Sequence, residues 1–177
     1  MVDSSLRFRI ATPDDATQLQ ALVESAFRAE DSRQDWTADM RLGENFRIGV
    51  DEIMAQITKA DGVILMAFDN EGLVGSAELF KRSVDLARLS MLSVAVRRQQ
   101  SGIGRQILAY AEDYCQQTWG VKQMGLNALS TRGKLLSWYM RRGYQKTGEF
   151  SPFPVEKFKE LDLPQDLCFV ELKKNLA

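Results

Sequence analysis

The most constraining stretch of this chain is a handover near its middle. Ala87 to Val96 reads as a strand rich in Leu, Met and Val, runs into Gln99-Gln100-Ser101-Gly102-Ile103-Gly104, and goes on as a helix. Ile103, Ile107, Tyr110 and Tyr114 give that helix its apolar face, predicted to last about fifteen residues. Two positions without side chains, where a strand becomes a helix, let several backbone N–H groups converge on one anionic group at a positive helix end. The order strand, glycine loop, helix therefore predicts a sheet with a helix packed on it and a phosphate cradle at the junction. An ordinary glycine turn has the same composition, so the rest of the chain must decide between them.

Two other phosphate motifs fail on inspection. A dinucleotide-binding fingerprint needs a third glycine or alanine near Ile107 and an acidic residue ~20 positions on, where Lys122, Gln123, Met124 and Gly125 stand. A nucleoside triphosphate loop needs a glycine five residues before Gly-Lys-Ser/Thr, but Gly133-Lys134 has Ala128 there and Leu135 after it.

The flanking pattern predicts one mixed sheet covered by helices. Phe8 to Ala11 reads as a strand stopped by Thr12-Pro13-Asp14-Asp15, where Thr12 caps, Pro13 takes the first helical position and Asp15 suits the positive helix start. Ala16, Leu19, Val23, Ala26 and Phe27 then recur at helical spacing. Residues 28–50 are polar and irregular, with Trp36, Phe46 and a helical turn from Thr37, and a short helix follows over Asp51 to Lys59. Gly62 to Phe68 and Leu73 to Lys81 read as antiparallel strands about the turn Asp69-Asn70-Glu71-Gly72. Val121 to Leu129 is a strand, Lys134 to Arg142 a helix ended by Gly143, and Tyr144 to Phe150 and Leu167 to Lys173 close the sheet around a loop with Pro152, Pro154 and Pro164.

Composition narrows the chemistry. At 177 residues, with no repeat or linker, the chain is expected to be a single domain, 1–177. It has no histidine, which removes Ser-His and Cys-His nucleophile pairs, histidine bases and His-ligated zinc. Cys115 and Cys168 are too few for a thiolate cage, and a lone thiol is most often a small core hydrophobe, so no metal is expected. With 23 basic and 24 acidic residues the net charge of -1 leaves no footprint for nucleic acid. The longest apolar run, Val63 to Phe68, is far short of the roughly 20 residues that span a membrane, and Met1 to Ser5 lacks a signal peptide's features. A cytoplasmic protein without membrane partners is the expectation.

Here the sequence resembles a known family, the GCN5-related N-acetyltransferases (GNAT), whose signature is Gln/Arg-x-x-Gly-x-Gly/Ala between a strand and a helix. Gln99 to Gly104 matches it in full, and Tyr139-x-x-x-Gly143-Tyr144 resembles the family's Tyr-x-x-x-Gly-Phe/Tyr box on the next helix. Leu92-Ser93-Val94 looks like the segment of a splayed strand that pairs with the pantetheine arm of coenzyme A. The resemblance implies an α/β single domain, a mixed and mostly antiparallel sheet flanked by helices, with a splayed central strand pair. It also implies acetyl coenzyme A as cosubstrate, held by Leu92, Ser93, Val94, Gln99, Gln100, Ser101, Gly102, Ile103, Gly104 and Arg105.

Direct acetyl transfer to an amine needs an anchored diphosphate, a polarised carbonyl, a deprotonated amine and a protonated leaving thiolate. A backbone N–H near Leu92 or Val94 would polarise the carbonyl. Tyr139, whose hydroxyl is mostly protonated at neutral pH, is the candidate acid, against the plainer reading of a core aromatic.

Three departures from the pattern bear on this. Gln100 stands where glycine is common. Arg132 takes the place of an asparagine that contacts the cofactor, and either reaches a phosphate or is solvated. Arg88 sits on the strand where some relatives place a catalytic glutamate, so the base does not transfer by motif. Glu78 on the neighbouring strand is the best substitute, with a solvated residue or a water chain as the alternatives. Glu149 is a second carboxylate that could face a cationic substrate, and Phe46, Trp36 and Phe153 are candidate pocket walls. The expected partner is a small-molecule primary amine; an acyl-CoA-binding sensor and a peptide or protein acetyltransferase are the competing readings, and a homodimer is compatible with all three.

Overall fold

The structure is a computed structural model describing residues 5–30, 47–99, 101–154, 156, 163 and 166–176. Trp36, the turn from Thr37, Phe46 and Gln100 lie outside the described residues. β1 (Arg7–Ile10) leads through a 3-10 turn, Pro13–Asp15, into α1 (Ala16–Glu30), and α2 (Val50–Thr58) follows. The antiparallel run β2 (Gly62–Asp69), β3 (Gly72–Lys81) and β4 (Leu86–Val94) precedes α3 (Ile103–Trp119). Then come β5 (Gln123–Leu129), α4 (Gly133–Arg141), β6 (Gln145–Pro152) and β7 (Cys168–Asn175).

One seven-stranded sheet results, in the order β1-β2-β3-β4-β5-β7-β6. Every pairing is antiparallel except β4 with β5, which is parallel and limited to Leu86–Arg88 against Gln123–Gly125. Past those positions β4 and β5 part, and the rest of β5 pairs with β7 alone. A parallel pair needs a crossover, and α3 supplies it.

The alternation of each strand sorts the core into two layers. Leu65, Ala77, Leu79, Leu89, Met124, Leu126 and Leu172 face one side with Ile103, Ile107, Leu108 and Ala111 of α3, and with Leu136 and Tyr139 of α4. Ile64 and Met66 face the other, with Leu19 and Val23 of α1 and Ile53 of α2. The cradle side of the sheet is thus the α3 and α4 side, and the α1 and α2 side is opposite.

Element boundaries differ from the sequence reading where local chemistry competes. β4 ends at Val94, two residues early, and a 3-10 turn, Val96–Arg98, separates it from the glycine loop. Thr12 is the N-cap, as expected, and forms a capping box with Asp15, whose carboxylate accepts the Thr12 amide at 2.8 Å and a paired contact from Arg9 at 2.7 and 2.8 Å. α1 continues to Glu30, past the last apolar position of its stripe. Pro152 belongs to β6 rather than to the loop, which an outermost strand tolerates because no ladder bond is required of its free side.

Candidate active site

The glycine loop meets the conditions for a cradle. Gly102 has φ +83°, a left-handed conformation that strains any residue with a Cβ, and it caps α3, a helix of 17 residues. The first N–H groups of that helix, Ile103, Gly104 and Arg105, have no carbonyl one turn back to bond. A Cβ added at Gly102 meets nothing within 4 Å, so the loop opens on free space, and Ser101 and Arg105 are exposed beside it. This donor-rich concavity fits a diphosphate. The Ser101 hydroxyl donates to the Arg98 carbonyl.

The Gln99 side chain has a defined partner in the structure. Its side-chain amide donates to the Val94 carbonyl at 3.1 Å. The Ala95 N–H donates to Val74 on β3 at 2.8 Å, so alternation turns the Val94 and Leu92 backbone groups the opposite way, into the wedge between β4 and β5. Gln99 thereby covers the outward carbonyl of Val94 and leaves its N–H facing the wedge. Between them lies a bulge: Met91 and Leu92 together oppose Ala77, and Met91 takes φ 53°, rare for a side chain of its size. Ser93 points the other way, buried, with its hydroxyl on the Met91 carbonyl at 3.0 Å, which fixes the bulge.

An ion-pair cluster holds this loop to the sheet. Asp69, at the end of β2, takes Arg97 at 3.2 Å and also bonds Arg98 and the Glu71 amide. Hydrogen bonding from Arg97, reinforced by the Glu71 amide and Arg98, pulls the Asp69 carboxyl down to about 2 against the cost of burial.

Tyr139 on α4 is 5% exposed, edge-on to Trp138 at 5.2 Å and to Tyr144 at 5.9 Å. A Cβ on Gly104 would lie 3.7 Å from Val94 Cγ2 and 3.8 Å from Trp138, so the ends of β4, α3 and α4 converge at the wedge. Behind Tyr139, the Tyr144 hydroxyl donates to Glu112 Oε2 at 2.8 Å, and Lys174 Nζ holds Oε1 at 2.8 Å. Burial, then the Glu112 charge, pushes the Tyr144 hydroxyl far above its ordinary value, so it stays a donor. Arg132 precedes α4, half-buried with its Nε out of water, which disfavours the freely solvated reading.

On the opposite face, Glu78 accepts the Ser90 hydroxyl at 2.6 Å, and among the described residues no cation lies within ion-pair distance of it. Glu149 lies on the exposed outer strand β6, and Phe153 packs on Phe169 at 5.7 Å, so neither joins Glu78. Sequence reasoning missed Glu171: Arg88 donates to it at 2.9 Å, and Asn127 and Ser151 at 2.9 and 2.7 Å. Burial alone would raise the Glu171 carboxyl, but those three bonds leave it below its ordinary value. The available signal was the interruption of apolar β7 by a lone carboxylate between Val170 and Leu172.

A sheet that parts around outward backbone donors, with an anion cradle at the parting, suits an acyltransferase that anchors a phosphorylated acyl carrier. Residues 23–152 match the model of the acetyltransferase (GNAT) domain, and the chain belongs to that family. It is therefore an enzyme of acetyl-CoA-dependent acyl transfer. No curated protein matches the sequence significantly. Solved structures of similar fold include a PaiA N-acetyltransferase from Thermoplasma acidophilum in complex with coenzyme A (TM-score 0.72, 16% identity, 97% of this chain and 99% of that one). An IAA acetyltransferase from Bacillus cereus (0.65, 14%, 97% and 99%) and a ribosomal-protein alanine N-acetyltransferase from Escherichia coli (0.70, 12%, 98% and 95%) share it too.

Proposed function

We propose that the chain acetylates the primary amine of a small molecule by direct attack in a ternary complex. The observation that carries this reading is Glu78: a half-buried carboxylate one strand from the wedge, bonded to Ser90 and, among the described residues, to no cation. A half-buried carboxylate attracts an ammonium group and takes up its proton as the amine becomes nucleophilic. Acetyl coenzyme A, when bound, supplies an activated thioester. The Gly102–Arg105 amides, with Arg132 near the α4 start, are the residues that would hold its phosphates. The Leu92 or Val94 N–H stabilises negative charge that develops on a carbonyl oxygen in the wedge. Tyr139 holds a proton at its hydroxyl, at the convergence of β4, α3 and α4, and is the acid for a departing thiolate.

The test incubates the protein with acetyl coenzyme A and a panel of amines, recording thiol release and product mass together. Small primary amines are expected to be acetylated. Acetylation of peptides or proteins but no small amine overturns the substrate class. Coenzyme A binding without thiol release on any acceptor would instead favour a binding module, the reading that Arg88 at the glutamate position supports.

A further inference from the structure

Two half-sheets meet in this fold. β1 to β4 form one antiparallel unit and β5, β7 and β6 another, and the strand ladder that joins them is the short one of Leu86–Arg88 with Gln123–Gly125. Beyond Arg88 the ladder between β4 and β5 stops, yet a wedge that receives an acyl arm works only at a fixed width, because its donors must lie where charge develops.

Side chains make the missing link. Arg88, the last paired residue of β4, donates Nη1 to Glu171 Oε1 on β7 at 2.9 Å. The other oxygen, Oε2, accepts Asn127 Nδ2 on β5 at 2.9 Å and Ser151 Oγ on β6 at 2.7 Å. One carboxylate therefore ties four strands together across the point where the sheet opens. The Arg88 and Glu171 side chains are 17% and 18% exposed, so solvent screens their attraction less than that of a surface pair. Three donors also leave Glu171 little capacity to take a proton.

We infer that the Arg88–Glu171 pair is a positioning clamp that fixes the angle between β4 and β5 and, through it, the affinity for the acyl-CoA cosubstrate. Arg88 is then not a lost base but half of a structural pair whose carboxylate comes from β7. The inference rests on acyl-CoA as cosubstrate and on nothing about the acceptor, Tyr139 or Glu78.

The experiment titrates the full chain with coenzyme A in a calorimeter and follows hydrogen exchange of the 89–94 amides without ligand. Glu171→Gln and Arg88→Glu are each expected to weaken coenzyme A about tenfold, the scale on which packed positioning contacts act on a neighbouring site. Exchange along β4 should quicken, and KM for acetyl coenzyme A should rise with kcat at saturation nearly unchanged. The double variant Arg88→Glu with Glu171→Arg should recover affinity to within about threefold, since Asn127 can turn its carbonyl, and Ser151 its lone pairs, toward a guanidinium. Wild-type affinity in a folded Glu171→Gln variant, or a double variant no better than the singles, overturns the clamp. If Glu171→Gln fails to fold, Ser151→Ala removes one donor from the outer strand, and unchanged coenzyme A affinity there is equally fatal. A wild type that does not bind coenzyme A sinks the cradle itself, which separates that failure from failure of the clamp alone.

Discussion

Tyr139 and Glu78 occupy opposite faces of one sheet, so their roles are separable by experiment. Tyr139 sits among Trp138 and Tyr144, where removing only the hydroxyl keeps the ring packing. Tyr139→Phe is therefore expected to lower turnover by ~10²- to 10⁴-fold, the usual contribution of a positioned acid, while coenzyme A affinity stays close to wild type. Full turnover at every pH would return Tyr139 to a packing role. Glu78→Gln should cost most at low pH, where the amine is most protonated and depends most on a base. A pH–rate profile that overlays the wild type would remove Glu78 and leave a water chain. Cys115, fully buried in the core, has its thiol pushed up to about 12 by burial and then by Glu112, so it stays protonated and unreactive. Cys115 therefore takes no part in this scheme.

At the scale of elements, α3 approaches β3 and β4 closely at Gly75. A Cβ on Gly75 of β3 would lie 2.3 Å from Ile107 Cδ1 and 2.9 Å from the Ser93 carbonyl. The isoleucine tip can rotate away; the Ser93 carbonyl belongs to the bulged strand and cannot move without shifting Leu92 and Val94. Gly75→Ala is expected to cost about 1–3 kcal/mol in urea denaturation, the range for overpacking, and to weaken coenzyme A binding as well. Stability loss with unchanged binding would mean that the bulge yields independently of the wedge. Most of this architecture was legible in the sequence because strand and helix periods are local: Gly102 and Gly104 fall at the start of α3, and Tyr139 lies on α4, as their local patterns predict. The bulge at Met91 was not, since a two-against-one register depends on β3, which no local pattern reports. Glu171 escaped for the same reason, its partners lying 83, 44 and 20 positions away. The bond from the Gln99 amide to the Val94 carbonyl is set by how the chain turns after β4.

For the whole molecule, two of the carboxylates that join elements, Asp69 and Asp15, are held well below the ordinary carboxyl range. Asp69 joins the β2–β3 turn to the segment entering the cradle, and Arg97 leads the groups that bring its carboxyl from the ordinary 3.8 to about 2. Asp15 joins β1 to the start of α1 and is likewise lowered, first by its hydrogen bond from Arg9. A carboxyl depressed on folding contributes stability that is fully present above its unfolded value and is lost as pH falls toward the folded one. The chain has no histidine, so no imidazole titrates between pH 5 and 8. The midpoint of urea unfolding is therefore expected to be nearly level from pH 7 to about 5 and to fall steeply between about pH 4 and 2. Asp69→Asn should lower the plateau and flatten that fall, because an amide keeps the shape but neither the charge nor the proton linkage. It should also loosen the cradle, seen as weaker coenzyme A binding at pH 7. A variant whose stability still falls as steeply as wild type through the same window would show that Asp69 is not among the groups whose protonation unfolds the protein.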